Sequence, residues 1–157
     1  MTPRRPALTL LLAVAGLVLA GCSGVGGAAP SPTPTADPGI PVRDLAVGDC
    51  IDSHGRPGIS ETVLVVGCGE EHDSEAYAEI VLDDGGFPGD AAVKDRAQGG
   101  CAADFVEFAG IDYESSSLDY AYYYPTPGSW ADGDRRILCL ILDPAGAVTG
   151  TLEGAAR

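Results

Sequence analysis

The sequence predicts an α+β fold. A small, mostly antiparallel sheet of about six strands should carry one main helix, about residues 90–109, on one face, with two disulfides pinning the layers. Three observations predict this. Short apolar and β-branched runs recur between Gly- and Pro-rich breaks from Leu45 onward. One stretch alone has helical spacing: Val93, Ala97, Cys101, Phe105 and Phe108 form an apolar stripe. Four cysteines, Cys50, Cys68, Cys101 and Cys139, form an even set once Cys22 is assigned elsewhere.

Before the domain, Arg4 and Arg5 precede an apolar run, Ala7 to Ala20, that ends in Leu19-Ala20-Gly21-Cys22. A membrane-spanning helix needs about 20 apolar residues, more than this run holds. A charged start, a short apolar centre and small residues before a cut describe a secretory signal. The Leu-Ala-Gly-Cys ending reads as a lipobox. Residues 1–21 are therefore expected to be a lipoprotein signal peptide, with Cys22 taking lipid, palmitate among its acyl chains, as the first mature residue. Two or three acyl chains at ~0.8 kcal/mol per buried CH₂ make a lasting anchor. The expected location is the extracytoplasmic face of the cell membrane. Arg4-Arg5 also permits a twin-arginine route, but its flanking residues match that signal poorly, which favours the general secretory route.

Residues 22–41 are mostly Gly, Ala, Pro, Ser and Thr with Asp37 as the one charge, a composition expected of a disordered tether. As a coil it would reach roughly 25 Å. The folded domain is expected over residues 42–157. Removal of the signal leaves seven basic residues against all 23 acidic ones, a formal charge near −16. Such acidity argues against nucleic acid, whose phosphates would be repelled, and leaves membrane attachment to the lipid.

Along the domain, Leu45–Asp52 reads as a first strand, 53–60 as a loop, 61–66 as a second strand and 69–73 as an acidic turn. Residues 74–82 read as a third strand, Ala76, Ala78 and Ile80 alternating with Glu75, Tyr77 and Glu79. Asp90 is the expected N-cap of the helix and Gly110 its stop. Gly99-Gly100 in mid-helix implies close approach to the sheet. In the next strand Leu118, Tyr120, Tyr122 and Tyr124 share one face. Thr126 could cap a single helical turn around Trp130. Residues 137–142, the most apolar segment, should be a central strand, buried on both faces. Asp143-Pro144-Ala145-Gly146 then turns the chain into a last hairpin strand, 147–152.

Four cysteines allow three pairings. Cys101 lies on the helix stripe, and Cys139 shares a strand face with Ile137 and Ile141, which favours Cys101–Cys139 with Cys50–Cys68. In the chain-entropy model these are worth about 4 and 3 kcal/mol.

Chemistry is sparse. His72-Asp73, beside Glu70 and Glu71, could act as a base or ligand, but His54 sits in a loop and zinc wants three or four ligands. Asp83-Asp84 and Asp132-Gly133-Asp134 read as turn carboxylates rather than a calcium loop. A nucleophile elbow and a phosphate loop are absent, so no cofactor and no metal are expected and no catalytic set is assigned. The candidate binding surface is His72, Asp73, Tyr120, Tyr122, Tyr124 and Trp130, the aromatics being read first as core under the helix.

These residues carry a family likeness. Val47-Gly48-Asp49-Cys50, Cys68 with His72-Asp73-x-Glu75, Phe87-Pro88-Gly89, Cys101, Leu118, Tyr124-Pro125-Thr126, Ser129-Trp130-x-x-Gly133-Asp134-Arg135 and Cys139 resemble the septum formation domain of actinobacterial membrane- and lipid-anchored proteins. The resemblance implies a role near cell division or envelope growth and supplies no catalytic residues. Two readings follow. One is a non-enzymatic envelope module that binds a division protein or wall component. The other is a wall-modifying hydrolase using His72 with a nearby carboxylate.

Overall fold

The computed structural model describes residues 39–157. The signal peptide, Cys22 and the tether up to residue 38 lie outside the described residues. Six strands form one sheet: β1 (Ile40–Pro41), β2 (Cys50–Asp52), β3 (Thr62–Val66), β5 (Ser74–Val81), β6 (Asp119–Tyr123) and β7 (Arg136–Leu142). Their order is β1-β3-β2-β5-β7-β6, every pairing antiparallel. Two further short strands, β4 (Glu71–His72) and β8 (Val148–Thr149), pair with each other.

Helix α1 spans Asp90–Ala109 and lies across β5, β7 and β6. The stripe read from the sequence is its buried face, with Val93, Ala97, Cys101, Phe105 and Ala109 turned inward and Phe108 half-buried. These meet Tyr77, Ile137, Cys139 and Ile141 from the sheet. Gly110 ends the helix at φ 78°, the left-handed conformation glycine adopts at low cost. The start differs from expectation: Gly89 is the N-cap and Asp90 the first helical residue. An Asp there still places negative charge at the positive helix end. Gly100, not Gly99, carries the close approach, since a Cβ at 100 would run into the Ile80 side chain while one at 99 meets nothing within 4 Å.

Both disulfides form as the periodicity favoured, Cys50–Cys68 with Cα atoms 5.2 Å apart and Cys101–Cys139 at 5.5 Å. The second staples α1 to β7. Beside it the Tyr77 hydroxyl donates to the Cys101 carbonyl at 2.6 Å, tying β5 to the same helical turn. Burial, helped by Tyr120 and Asp104, holds the Tyr77 phenol far above its ordinary pKa.

The opposite sheet face has its own core, Leu45, Ile51, Val63, Ala76, Tyr123, Leu138 and Leu140, with Ile40 and Val42 packed against it. Alternation along β7 therefore serves two cores at once, which is why its sequence is apolar throughout.

Further strand expectations need correction, beginning with β1, which forms at Ile40–Pro41 inside the span expected as tether. The strand expected over Leu45–Asp52 is only Cys50–Asp52, because Asp49 accepts from the Ala46 amide (2.8 Å) and Gly48 takes φ 96°, which makes 46–49 a turn. In β5 a bulge between Ala76 and Ala78 breaks the alternation. Ala76 joins the far core, while Ala78 and Ile80 turn to the helix side with Tyr77. Residues 147–152 do not fold back on β7. Val148–Thr149 pairs with Glu71–His72, the Gly150 amide donates to the Cys68 carbonyl (2.7 Å), and the Leu152 amide donates to buried Glu75 (2.8 Å).

Candidate functional site

The Thr126–Arg136 segment explains its own sequence. Thr126 caps α2 (Pro127–Ala131) through a reciprocal box: its Oγ1 accepts from the Ser129 amide (3.2 Å), and Ser129 Oγ accepts from the Thr126 amide (3.0 Å). Trp130, on the last turn, is buried. Its indole N–H donates to the Gly85 carbonyl (2.9 Å), and Phe87 meets it edge-on at 5.6 Å. The Arg135 guanidinium stacks 3.8 Å over the indole, donates to the Trp130 and Asp134 carbonyls (2.8 Å each) and pairs with Asp84 at 3.4 Å. The Ser-Trp-x-x-Gly-Asp-Arg motif is thus a clasp that fixes the start of β7 against the loop after β5. It takes Trp130 out of the expected binding surface.

Arg136, next in the chain, faces the other way. It donates to the carbonyls of Leu45, Val42 and Arg43 and pairs with Glu79 at 3.2 Å. Those bonds hold the start of the domain on the sheet.

Between this start and the clasp runs a groove of about 510 Å³. Pro41–Arg43 and Gly58–Glu61 form one wall; Tyr123, Tyr124, Thr126, Ser129 and Asp134 form the other, over Arg136 and Leu138. Burial pushes the Tyr123 phenol up, against an opposing effect of the Gly58 backbone. Its hydroxyl is buried with no hydrogen-bond partner of acceptable geometry. Ile59 stands at the rim, 78% exposed. The sequence reading treated 53–60 as a plain loop. A bulky β-branched residue among Gly, Pro and Ser was the signal available there.

The other candidates separate. Tyr120 packs edge-on against Tyr113 (4.8 Å) and reaches Gln98 on α1, so it follows the core reading. Tyr122 and Tyr124 lie beside each other, and Lys94 sits 5.4 Å over the Tyr124 ring. Of this trio only Tyr124 reaches the groove.

His72 is 1% exposed, in a two-residue strand and not in the turn expected at 69–73. Its Nδ1 lies 2.9 Å from the Glu70 carbonyl, and its Nε2 is buried with no partner. Asp73 organises the loop before β3, accepting from the Ser53 amide (2.9 Å), the Gly55 amide (2.8 Å) and the Ser53 and Ser74 hydroxyls. Both line one cavity of about 330 Å³, together with Gly55 and Pro57 of the loop before β3.

Residues 44–139 match the model of the septum formation family. The chain belongs to that family. Within it, the chain is similar to the candidate lipoprotein LppN of Mycobacterium tuberculosis, 28% identical over 134 residues, covering 82% of this chain and 71% of the relative. The same values hold for LppN of Mycobacterium bovis. No solved structure matches. The matched span of the septum formation family runs from just before the first turn of the domain to Cys139. It therefore encloses both disulfides, the clasp and most of the groove.

Proposed function

We propose that this septum formation family member is an envelope protein held on the outer face of the cell membrane by lipid on Cys22. Its folded domain is a non-enzymatic binding module for a division protein or wall component. The groove above Arg136 and Leu138 carries the proposal. Its walls are tied to the sheet by the clasp and by the Arg136 bonds to the start of the domain. It mixes an apolar rim at Ile59 with hydroxyls, Glu61 and Arg136, the composition of a recognition surface. The lipobox and the name of the mycobacterial relative support the anchor. Among the described residues no helix is long and apolar enough to cross a membrane. His72 is read as a binding group and not a general base, since its buried Nε2 meets no hydroxyl, thiol or carboxylate partner among the described residues.

A photo-crosslinking residue at position 59, in living cells, tests this against one at Val81, exposed on β5. The expected result is a discrete adduct from position 59 and none from 81. Equal labelling at both positions would contradict the groove. Loss of cell function in His72→Ala with an intact fold and unchanged capture at 59 would favour the hydrolase reading instead.

A further inference from the structure

The two disulfides differ in how burial protects them. Cys101 and Cys139 are both sealed in the core, whereas buried Cys50 is joined to half-buried Cys68, which sits between exposed Gly67 and Gly69. Beside the less covered bond lies a buried acid that neither core nor the groove uses. Glu75 ends the His72-Asp73-x-Glu75 motif, is 4% exposed, and stands directly across from Cys50 in the β2–β5 register. One of its carboxylate oxygens and the two sulfurs all lie within 4.8 Å of one another. We infer that Glu75 is an electrostatic guard of the Cys50–Cys68 disulfide, placing a negative charge where thiol–disulfide exchange has to create a second one.

The carboxylate is held in place. It accepts from the Leu152 amide and from the Thr151 hydroxyl, each at 2.8 Å. Both partners are donors, which suits an ionised carboxylate, an acceptor-only group. Among the described residues no Lys, Arg or His pairs with it, so no cation offsets its charge. The same C-terminal segment covers Cys68, whose carbonyl accepts from the Gly150 amide at 2.7 Å.

Exchange begins when an external thiolate attacks Sγ of Cys68, the less buried residue. A bond forms between the reagent and Cys68, the Cys50–Cys68 bond breaks, and its electron pair leaves on Cys50 Sγ as a thiolate. A second reagent thiolate then attacks the reagent sulfur of the mixed disulfide and releases Cys68 as a thiolate. The two cysteines take up the two protons the reagents gave up, so two thiols are oxidised to a disulfide and one protein disulfide is reduced. The first step brings one negative charge toward Glu75 and develops another at Cys50, its cross-strand neighbour. A like charge within about 4–6 Å disfavours the ionised form, and a thiol that ionises less readily leaves more slowly. Reactive cysteines sit in electropositive surroundings; this pair has the reverse, which keeps it closed.

The test opens the disulfide of the full chain, in detergent micelles, with cysteamine, 2-mercaptoethanol and 2-mercaptoethanesulfonate. Their thiolate forms are neutral overall, singly negative and doubly negative. Rates are compared per thiolate present, at about 1 M salt, where a Debye length of ~3 Å silences exposed charges such as Glu70 but acts much less on a buried one. Freed cysteines are alkylated and mapped by mass spectrometry, and the Cys101–Cys139 peptides in the same digest report unfolding. In the wild type the rate should fall at least about ten-fold from the neutral to the doubly negative reagent. Glu75→Gln keeps the shape and an acceptor oxygen. It should speed 2-mercaptoethanol about three- to ten-fold and narrow the spread among reagents to under about two-fold. Equal wild-type rates with all three reagents would overturn the inference. So would a Glu75→Gln variant in which every rate rises by the same factor, since Glu75 would then act only by holding the C-terminal segment. Should Glu75→Gln open Cys101–Cys139 as well, the wild-type spread decides alone.

Discussion

Replacing Cys101 and Cys139 together by alanine should destabilise the domain more than replacing Cys50 and Cys68. The reasoning is quantitative. Cys101–Cys139 closes 38 residues and Cys50–Cys68 closes 18. Loop-closure entropy assigns about 4 kcal/mol to the first and about 3 kcal/mol to the second. Cys101 and Cys139 are both fully buried between α1 and β7, so the alanine pair also leaves a void there, whereas Cys68 is only half-buried. Native domains are stable by about 5–15 kcal/mol in total. At about 4 °C per kcal/mol for a domain near this size, the Cys101/Cys139 double variant should melt roughly 15 °C lower. The single tryptophan, Trp130, is 6% exposed, so its fluorescence follows global unfolding in urea. A loss below about 1 kcal/mol, or a larger loss from the Cys50/Cys68 pair, would refute the reasoning.

The two mid-helix glycines should behave differently. Gly99→Ala gains roughly 0.8–1 kcal/mol of helix propensity at no steric cost, while Gly100→Ala must displace the Ile80 side chain. Gly100→Ala should therefore be less stable than Gly99→Ala in urea, and equal midpoints would contradict the close approach of α1 to β5. Stability should also fall in alkali. Burial raises the phenols of Tyr77, Tyr120 and Tyr123, and the bond to Asp119 raises Tyr113. The unfolded chain releases these protons from about pH 10, so stability is complete below that pH and is lost as pH rises toward the folded-state values. The slope is up to ~1.4 kcal/mol per pH unit for buried Tyr77 alone. A urea midpoint unchanged between about pH 8 and pH 11 would contradict it.

Periodicity made α1, β3, β6 and β7 legible, because each packs one regular face, or two, against a core. The disulfide pairing followed from the same faces, since Cys101 and Cys139 point into the layer the helix covers. Where the chain's path depends on partners distant in sequence, local patterns failed. Asp143-Pro144-Ala145-Gly146 announces a turn but not its destination, and the next strand pairs with Glu71–His72 because Cys68 and Glu75 accept its amides. The β5 bulge leaves no mark in residue type, so Ala76 and Ala78 read alike and face opposite cores. His72 looked like a surface residue among acids, and only the β4–β8 pairing buries it. Trp130 read as either core or binding aromatic; Arg135, Phe87 and Gly85 enclose it, as the core reading has it. The groove joins Pro41–Arg43 to Tyr123–Asp134, segments some eighty residues apart that no motif connects.

Attachment through Cys22 supports everything proposed about where this domain works. Mass spectrometry of the N-terminal peptide from the membrane fraction tests it directly. The account predicts a chain beginning at Cys22 with acyl lipid on that residue, and a Cys22→Ala variant that leaves the membrane fraction. An unmodified Cys22 in wild-type protein recovered from the soluble fraction would contradict it.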